Sequence, residues 1–227
     1  MSLQNKVIWI TGASSGIGEA LAYECARYKG VKLILSARRK LELERVLGNC
    51  HPLAQPNIKL LPLDLGSGAM LKLTTEAATH LFGHSDILIN NAGISQRSLA
   101  RETNIDVDRR IMEVDYFGTI TLTKYLIPHF LQRRSGHFVV VTSVMGMIGT
   151  PYRSGYAAAK HALHGFFDSL RAELWKESKR IYVTIICPGW VRTQVSVNAL
   201  IGDGSKLNQM DSTTADGLDP KVVAKKI

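Results

Sequence analysis

Six short apolar runs, separated by longer segments with helical periodicity, constrain the fold of this chain more than any other feature. Each run is continuously apolar and rich in valine, isoleucine and leucine, whereas a strand with one solvated face would alternate polar and apolar residues. Such strands are buried on both faces, which requires helices on both sides of a parallel sheet. The runs cover residues 7–10, 31–35, 58–61, 87–89, 138–141 and 181–186.

The segments between these runs carry apolar residues three and four positions apart, as amphipathic helices do. Strand and helix therefore alternate along the chain, and right-handed crossovers leave few topologies for such a series. At 227 residues, of which 45% are hydrophobic, the chain is long enough for one sizeable core and short for two domains. We expect a single α/β domain over residues 1–227, built as a Rossmann-type, doubly wound parallel sheet with helices on both faces.

The composition argues against several other classes of protein. The 28 basic residues outnumber the 19 acidic ones, but they are scattered, so we expect no nucleic-acid partner. The three cysteines show neither metal-ligand nor disulfide spacing, so we expect no metal site and a reducing compartment. The most apolar stretch, residues 138–149, is far shorter than the ~20 residues that cross a bilayer. No transmembrane segment or signal peptide is expected, and the cytoplasm is the expected location.

Residues 196–219 differ from the rest of the chain because they are rich in glycine, serine, aspartate, asparagine and threonine. The segment follows the sixth apolar run, at the edge of the sheet where α/β proteins bind their ligands. It is several times longer than an ordinary connection. We expect a mobile loop that covers the substrate, with an ordinary surface loop as the alternative.

The first apolar run leads into the sequence TGASSGIG, residues 11–18, and then into a helix. A strand, a glycine-rich turn and a helix in this order point backbone N–H groups and the positive end of the helix at an anion. The spacing GxxxGxG differs from the GxGxxG of the standard dinucleotide fingerprint. The context nevertheless favours binding of a dinucleotide pyrophosphate over a tight turn without a ligand.

Ser36, Ala37, Arg38 and Arg39 stand at the end of the second run, where NAD-binding proteins usually place a carboxylate for the ribose 2′-hydroxyl. No acidic residue is present there to repel a phosphate. The forked guanidinium of Arg38 is suited to the 2′-phosphate of NADP(H), and Arg39 adds a second cation. The sequence therefore favours NADP(H), the alternative being that both arginines are surface charges at a helix start.

Loop-forming residues also follow other apolar runs. The third run is followed by Asp64 and Leu65, the fourth by the sequence NNAG at residues 90–93, and the sixth by Pro188 and Gly189. Because the carboxyl ends of parallel strands meet at one edge of a sheet, we expect these residues to line the same cofactor site.

Tyr156 and Lys160 lie four residues apart in a predicted helix, so their side chains share one face. The lysine ammonium would stabilise the phenolate form of the tyrosine and thereby aid proton transfer. Ser143, at the end of the fifth run, carries a hydroxyl suited to holding a carbonyl oxygen beside the phenol. A lone Tyr-xxx-Lys is common by chance, so its weight comes from its co-occurrence with the glycine-rich turn, NNAG and Ser143.

These motifs resemble the successive signatures of the short-chain dehydrogenase/reductase family: TGASSGIG, NNAG, Ser143, YAAAK at residues 156–160 and CPGWVRT at residues 187–193. In that family the serine orients the substrate oxygen, the tyrosine is the general acid or base, and the lysine binds the nicotinamide ribose and assists the tyrosine. The resemblance assigns these roles to Ser143, Tyr156 and Lys160. Parts of two helices most resemble members that reduce lipophilic ketones such as steroids, retinoids and quinones.

The resemblance also implies cofactor contacts and an assembly. In the family, the helix pair that corresponds to residues 107–131 and 155–175 forms a four-helix contact between subunits, so a homodimer or homotetramer is expected. Together with the turn and strand-end residues above, the expected cofactor-binding residues are Gly12, Ser14, Ser15, Gly16, Ile17, Gly18, Arg38, Arg39, Asp64, Leu65, Asn91, Ala92, Gly93, Tyr156, Lys160, Pro188, Gly189, Val191 and Thr193.

Two features depart from the family pattern. The family's catalytic asparagine, in a helix motif M-x-V-N-x-x-G, corresponds to Asp115 in the sequence MEVDYFG, residues 112–118. Asp115 is a fourth candidate catalytic residue, either paired with Lys160 or kept protonated by burial so that it mimics an amide. The chain ends at Ile227, within what resembles the family's penultimate helix, so the C-terminal strand of the sheet is expected to be missing.

We therefore expect an NADP(H)-dependent oxidoreductase that transfers a hydride between nicotinamide and a carbonyl or alcohol substrate. Lipophilic ketones, aldehydes and quinones are the favoured substrates. The main alternative is an NADP(H)-sensing binding protein that has the same fold and no turnover, against which Ser143, Tyr156 and Lys160 argue. A nucleic-acid binder has only the net charge of +9 in its favour.

Overall fold

The computed structural model describes residues 2–227, which fold around a six-stranded parallel sheet. The strands are β1 Val7–Thr11, β2 Lys32–Ser36, β3 Ile58–Leu60, β4 Ile87–Asn90, β5 Gly136–Val141 and β6 Ile181–Ile186. Their order across the sheet is β3-β2-β1-β4-β5-β6, and every neighbouring pair is parallel. The predicted doubly wound, Rossmann-type architecture is confirmed, and the strand order reverses between β1 and β4.

Helices cover both faces of the sheet: α1 Gly16–Cys25, α2 Lys40–Asn49, α3 Gly68–Leu81, α4 Ile105–Ile111, α5 Thr119–Arg133, α6 Ser154–Glu177, α7 Ser212–Ala215 and α8 Pro220–Ala224. Successive β1 side chains alternate between two apolar cores. Trp9 lies in the core that includes α3, α5 and α6, and Ile8 and Ile10 lie in the core that includes α1 and α2. Burial on both sides is why β1 is apolar at consecutive positions. Within residues 2–227, no helix combines the length and the apolar character needed to cross a membrane.

The longest connection between strands is interrupted where the sequence predicts one continuous helix. Residues 107–131 were expected to form a single helix, but α4 and α5 are separated by the π-helical stretch Met112–Gly118. A π-helix bonds each residue to the fifth along the chain, and such stretches are frequent at functional sites. Asp115 lies in the middle of this stretch and is completely buried.

Residues 196–219 lie against the carboxyl edge of the sheet and contain α7. Leu200 forms β-bridges with Gln96 and with Lys206, and Asp211 is buried. The segment therefore has defined contacts with the loop that follows β4. Its mobility stays a prediction.

Candidate active site

The turn between β1 and α1 lies where the strand order reverses, and its backbone requires glycine. Gly12 has a φ of +67°, and a Cβ there would lie 2.7 Å from the Cα of Ala92. A Cβ on Gly18 would collide with the carbonyl oxygen of Gly12, so this glycine lets α1 approach the turn. Ser15 precedes α1 without capping it through its side chain. The N–H groups in the first turn of α1 are thus available to an anion.

A cavity of about 530 Å³ runs from this turn along the carboxyl edge of the sheet. Its wall contains most of the predicted cofactor residues: Gly12, Ser14, Ser15, Gly16, Ile17, Arg38, Arg39, Leu65, Asn91, Ala92, Gly93, Tyr156, Lys160 and Thr193. The other predicted residues lie outside the wall: Gly18, Asp64, Pro188, Gly189, Val191, Ser143 and Asp115. Gly18 nevertheless shapes the turn, whereas Asp64 accepts a hydrogen bond from the backbone N–H of Gly66 at 2.9 Å.

Helix α4 and the segment after β6 contribute wall residues that the sequence motifs did not identify. From these two regions come Arg110, Gln194, Val195, Asn198, Leu200, Gly204 and Lys206. Gln194 and Val195 directly follow the motif at residues 187–193, which is the one sequence signal that could have found them. The wall positions of Arg110 and Lys206 depend on contacts between distant parts of the chain.

The charged side chains of the cavity wall are all cationic. Arg38, Arg39, Arg110, Lys160 and Lys206 line it, and among the described residues no aspartate or glutamate does. Charges of one sign around a cleft concentrate ligands of the opposite sign. The cavity is therefore suited to an elongated ligand that carries several phosphate groups.

Tyr156 and Lys160 both reach the cavity from the first turns of α6. The Nζ of Lys160 lies 5.4 Å from the centroid of the Tyr156 ring. Upstream, the backbone N–H of Gly155 donates to the side chain of Gln96 at 2.9 Å, which holds the start of the helix. The predicted juxtaposition of phenol and ammonium on one helix face is therefore present.

Asp115 lies behind Lys160 and forms a buried ion pair with it. Asp115 Oδ2 is 3.1 Å from Lys160 Nζ, and Asp115 Oδ1 accepts a hydrogen bond from the backbone N–H of Ile94 at 2.8 Å. The exposed fractions of the two charged side chains are only 4% for Lys160 and 0% for Asp115. Burial raises the pKa of Asp115 above its ordinary value, although the ammonium opposes this effect. Burial alone would lower the pKa of Lys160, but the facing carboxylate raises it, so Lys160 stays charged.

Ser143 lies directly after β5, next to the wall residue Thr142. Its hydroxyl oxygen accepts a hydrogen bond from the backbone N–H of Met145 at 3.1 Å and so caps a short 3₁₀ turn. Within residues 2–227 this hydroxyl donates no hydrogen bond. Its proton is therefore available to an acceptor on a ligand.

Comparison with known proteins identifies the family. The family model for short chain dehydrogenases matches residues 6–201. The chain belongs to the short-chain dehydrogenase/reductase family. Dehydrogenase/reductase SDR family member 7 from Homo sapiens is 47% identical over 207 residues, which are 90% of this chain and 60% of that protein. This chain thus spans less than two thirds of the length of that relative.

Solved structures show the same fold. A short-chain dehydrogenase/reductase from Burkholderia phymatum in complex with NAD has a TM-score of 0.85 at 23% identity, over 99% of this chain and 85% of that one. An alcohol dehydrogenase from Thermococcus sibiricus complexed with 5-hydroxy-NADP has a TM-score of 0.82 at 24% identity, over 97% and 88%. Members of this family of oxidoreductases bind a nicotinamide cofactor, and these two structures hold different forms of it.

Proposed function

We propose that the chain is an NADP(H)-dependent oxidoreductase that transfers a hydride between nicotinamide and a carbonyl or alcohol substrate. The observation that carries the proposal is that Tyr156 and Lys160 line one cavity together with the glycine-rich turn. A proton donor and a cation that supports it thereby face the same space as an anion-binding helix start. This combination is typical of hydride transfer coupled to proton transfer.

The cofactor proposed is NADP(H) because the cavity wall is cationic where the adenosine end would bind. Arg38 and Arg39 follow β2, the strand whose end carries a carboxylate in typical NAD sites. Arg110 lines the same cavity, and its guanidinium lies 4.0 Å from the carboxylate of Asp64. Gly12 and Gly18 leave the space for a close approach of phosphate to backbone. These residues fit a ligand with a 2′-phosphate.

The chain's own residues supply the proton chemistry. When bound, the nicotinamide supplies or accepts the hydride. Tyr156 gives its hydroxyl proton to the substrate oxygen during reduction and removes it during oxidation. The ammonium of Lys160 stabilises the phenolate, and Asp115 keeps that ammonium protonated and in place. The free hydroxyl proton of Ser143 is proposed to hold the substrate oxygen beside the phenol.

A lipophilic ketone, aldehyde or quinone is the proposed substrate class. Ile94 and Val195 contribute apolar surface to the cavity wall. Met147 and Ile148, which follow β5, and Trp190, which follows β6, expose large apolar side chains at the same edge of the sheet. An apolar substrate would cover part of this surface from water.

Nicotinamide absorbance separates the proposed enzyme from the alternative, a binding protein without turnover. The purified protein is incubated with NADPH and a panel of lipophilic ketones, aldehydes and quinones. Loss of the reduced-nicotinamide absorbance with at least one compound is the expected result. Saturable NADPH binding with no turnover across the panel would instead favour the sensing protein.

Replacing Asp115 by asparagine is expected to move the pH dependence of alcohol oxidation to lower pH. The carboxylate disfavours a second negative charge on the nearby phenol, and it raises the pKa of Lys160. Without it, the ammonium of Lys160 loses its proton at lower pH, so the basic limb of kcat against pH, where that ammonium is lost, shifts downward. The control is Asp106→Asn, because Asp106 is exposed on α4 and, within residues 2–227, pairs only with Arg109. A shift of less than about 0.3 pH units would contradict the electrostatic role.

A homodimer or homotetramer formed through α5 and α6 remains the proposed assembly. Tyr125 in α5 and Trp175 in α6 expose aromatic surface, which is enriched in contacts between subunits. Sedimentation velocity at micromolar concentration is expected to show a dimer or tetramer, and a monomer across that range would contradict the assembly. The cytoplasmic location likewise remains a prediction.

A further inference from the structure

A buried ion pair ties residues 196–219 to the start of the helix that carries Tyr156. Arg153 immediately precedes α6, and its carbonyl oxygen accepts a hydrogen bond from the N–H of Ala157 at 2.8 Å. Its guanidinium donates to Asp211 Oδ2 at 2.9 Å and to Ser95 Oγ at 2.9 Å. The side chains of Arg153 and Asp211 are 8% and 3% exposed. The guanidinium thus bridges two distant parts of the chain one helical turn before the catalytic tyrosine.

Asp211 is held in its ionised form by several partners. It accepts hydrogen bonds from the hydroxyl of Thr214 at 2.8 Å and from the backbone N–H of Thr213, both in the first turn of α7. The guanidinium of Arg97 lies 3.6 Å from its second oxygen. Burial would raise the pKa of Asp211, but the hydrogen bond from Thr214 and the two arginines hold it below its ordinary value. The ion pair with Arg153 is therefore formed at neutral pH.

The loop after β4 completes the cluster. The N–H of Leu200 donates to the carbonyl oxygen of Ser95 at 2.8 Å, and the N–H of Arg97 donates to the carbonyl oxygen of Leu200 at 2.8 Å. Between them, the Gln96 side chain accepts from the backbone N–H of Gly155. Leu200 also lines the cavity. One polar cluster therefore holds a wall residue of the cavity and the first turn of α6 together.

The cost of burying this ion pair indicates that stability alone does not explain it. Replacing a buried pair by apolar residues of similar volume is often neutral or stabilising, so such a pair is weak evidence of a stabilising role. Neither Arg153 nor Asp211 lines the cavity, so neither reaches a bound ligand in this conformation. Their effect on the reaction must pass through the residues that they hold.

We propose that Arg153 and Asp211 are positioning residues that couple the placement of residues 196–219 over the cavity to the placement of Tyr156. The proposal rests on the proposed function, because Tyr156 is taken to be the proton donor. When the ion pair is intact, residues 196–219 and the first turn of α6 are held in one relative position. When it is weakened, both loosen together, and the phenol loses its alignment with the substrate oxygen.

Asp211→Asn tests this coupling with a nearly isosteric change that leaves an acceptor for the guanidinium. The matched control is Asp216→Asn in the same segment, because Asp216 is exposed and its carboxylate has no hydrogen bond or ion pair within residues 2–227. In Asp211→Asn, kcat/KM for a carbonyl substrate is expected to fall by about tenfold to a hundredfold, with NADPH affinity unchanged. Asp216→Asn is expected to match the parent protein in both measurements.

Hydrogen exchange supplies a second readout, which reports whether the two regions loosen together. Backbone amides of residues 196–219 and of residues 157–160 are both expected to exchange faster in Asp211→Asn than in the control. If Asp211→Asn does not fold, Ser95→Ala replaces it, because that variant removes the acceptor at the other end of the guanidinium and leaves Asp211 in place. The Ser95 hydroxyl also donates to the carbonyl oxygen of Gln96, at 3.5 Å, and that hydrogen bond is lost as well. A merely structural pair would lower the melting temperature and leave kcat/KM of the folded protein unchanged.

The experiments distinguish a failure of the proposed coupling from a failure of the proposed function. If the parent protein reduces no carbonyl compound, the proposed function fails, and the exchange rates at residues 157–160 still decide the coupling. Faster exchange at both regions supports it. Unchanged exchange at residues 157–160, or a loss of NADPH affinity equal to the loss of kcat/KM, would overturn it.

Discussion

Replacing Tyr156 by phenylalanine is expected to lower kcat for carbonyl reduction by about 10² to 10⁴-fold, the usual contribution of a positioned general acid. The phenylalanine ring keeps the shape of the cavity wall and of α6 but has no proton to give. NADPH affinity is expected to remain close to that of the parent protein, because the cationic wall and the glycine-rich turn are untouched. Steady-state reduction and an NADPH fluorescence titration measure the two quantities.

Two further variants sharpen this experiment. Tyr28→Phe makes the same chemical change at an exposed tyrosine beyond α1 and is expected to behave as the parent protein. Lys160→Ala is expected to lower both kcat and NADPH affinity, because it removes a wall cation and leaves Asp115 buried without its partner. Retention of most activity in Tyr156→Phe would show that another group is the acid.

The strands could be predicted because burial on both faces leaves a continuous apolar signal. β6 has the same bounds in the prediction and in the structure, since every position from 181 to 186 lies in the predicted run. β5 begins at Gly136, two residues before the predicted start, because pairing with β6 is made by the backbone. His137 is polar, and its ring is bonded to the hydroxyl of Thr184 at 2.8 Å. An apolar pattern does not reveal a strand position of this kind.

The π-helical stretch Met112–Gly118 could not be predicted from periodicity. Apolar residues at three- and four-residue spacing continue through it, so the local pattern resembles that of an α-helix. The contacts that accompany the wider turn are tertiary. Asp115 accepts a hydrogen bond from the backbone N–H of Ile94 and forms an ion pair with Lys160. The sequence left open whether Asp115 would be paired or neutral, and the short distance to the ammonium favours the pair.

The residues of the site likewise divide into those that the sequence could predict and those that it could not. Residues at the ends of strands could be predicted to meet, because parallel topology places those ends at one edge. Arg110 could not, because it lies on α4, away from any strand end, whereas Lys206 belongs to the segment 196–219 that is predicted to cover the substrate. The N–H of Asn104 donates to the carbonyl oxygen of Gly202 at 2.8 Å, which joins these two regions. Such a contact leaves no local pattern in the sequence.

Replacing Arg38 by aspartate is expected to weaken NADPH binding by roughly a hundredfold, which corresponds to ~2 to 3 kcal/mol for a charge-assisted hydrogen bond. The new carboxylate would repel the 2′-phosphate and would accept a hydrogen bond from the 2′-hydroxyl of NADH. Affinity for NADH is therefore expected to rise as affinity for NADPH falls. Equilibrium titration of each cofactor measures the change in preference directly.

The matched control for this change is Lys40→Asp, which alters the net charge by the same amount two residues away and outside the cavity wall. Long-range electrostatics alone would weaken NADPH binding in both variants, and to a similar small extent in 0.15 M salt, where screening acts over about 8 Å. If Arg38 contacts the 2′-phosphate directly, NADPH binding weakens strongly only in Arg38→Asp, and that variant prefers NADH. Equal NADPH affinities in the parent protein and in Arg38→Asp would remove Arg38 from the site and leave Arg39 and Arg110 as the wall cations available to the 2′-phosphate.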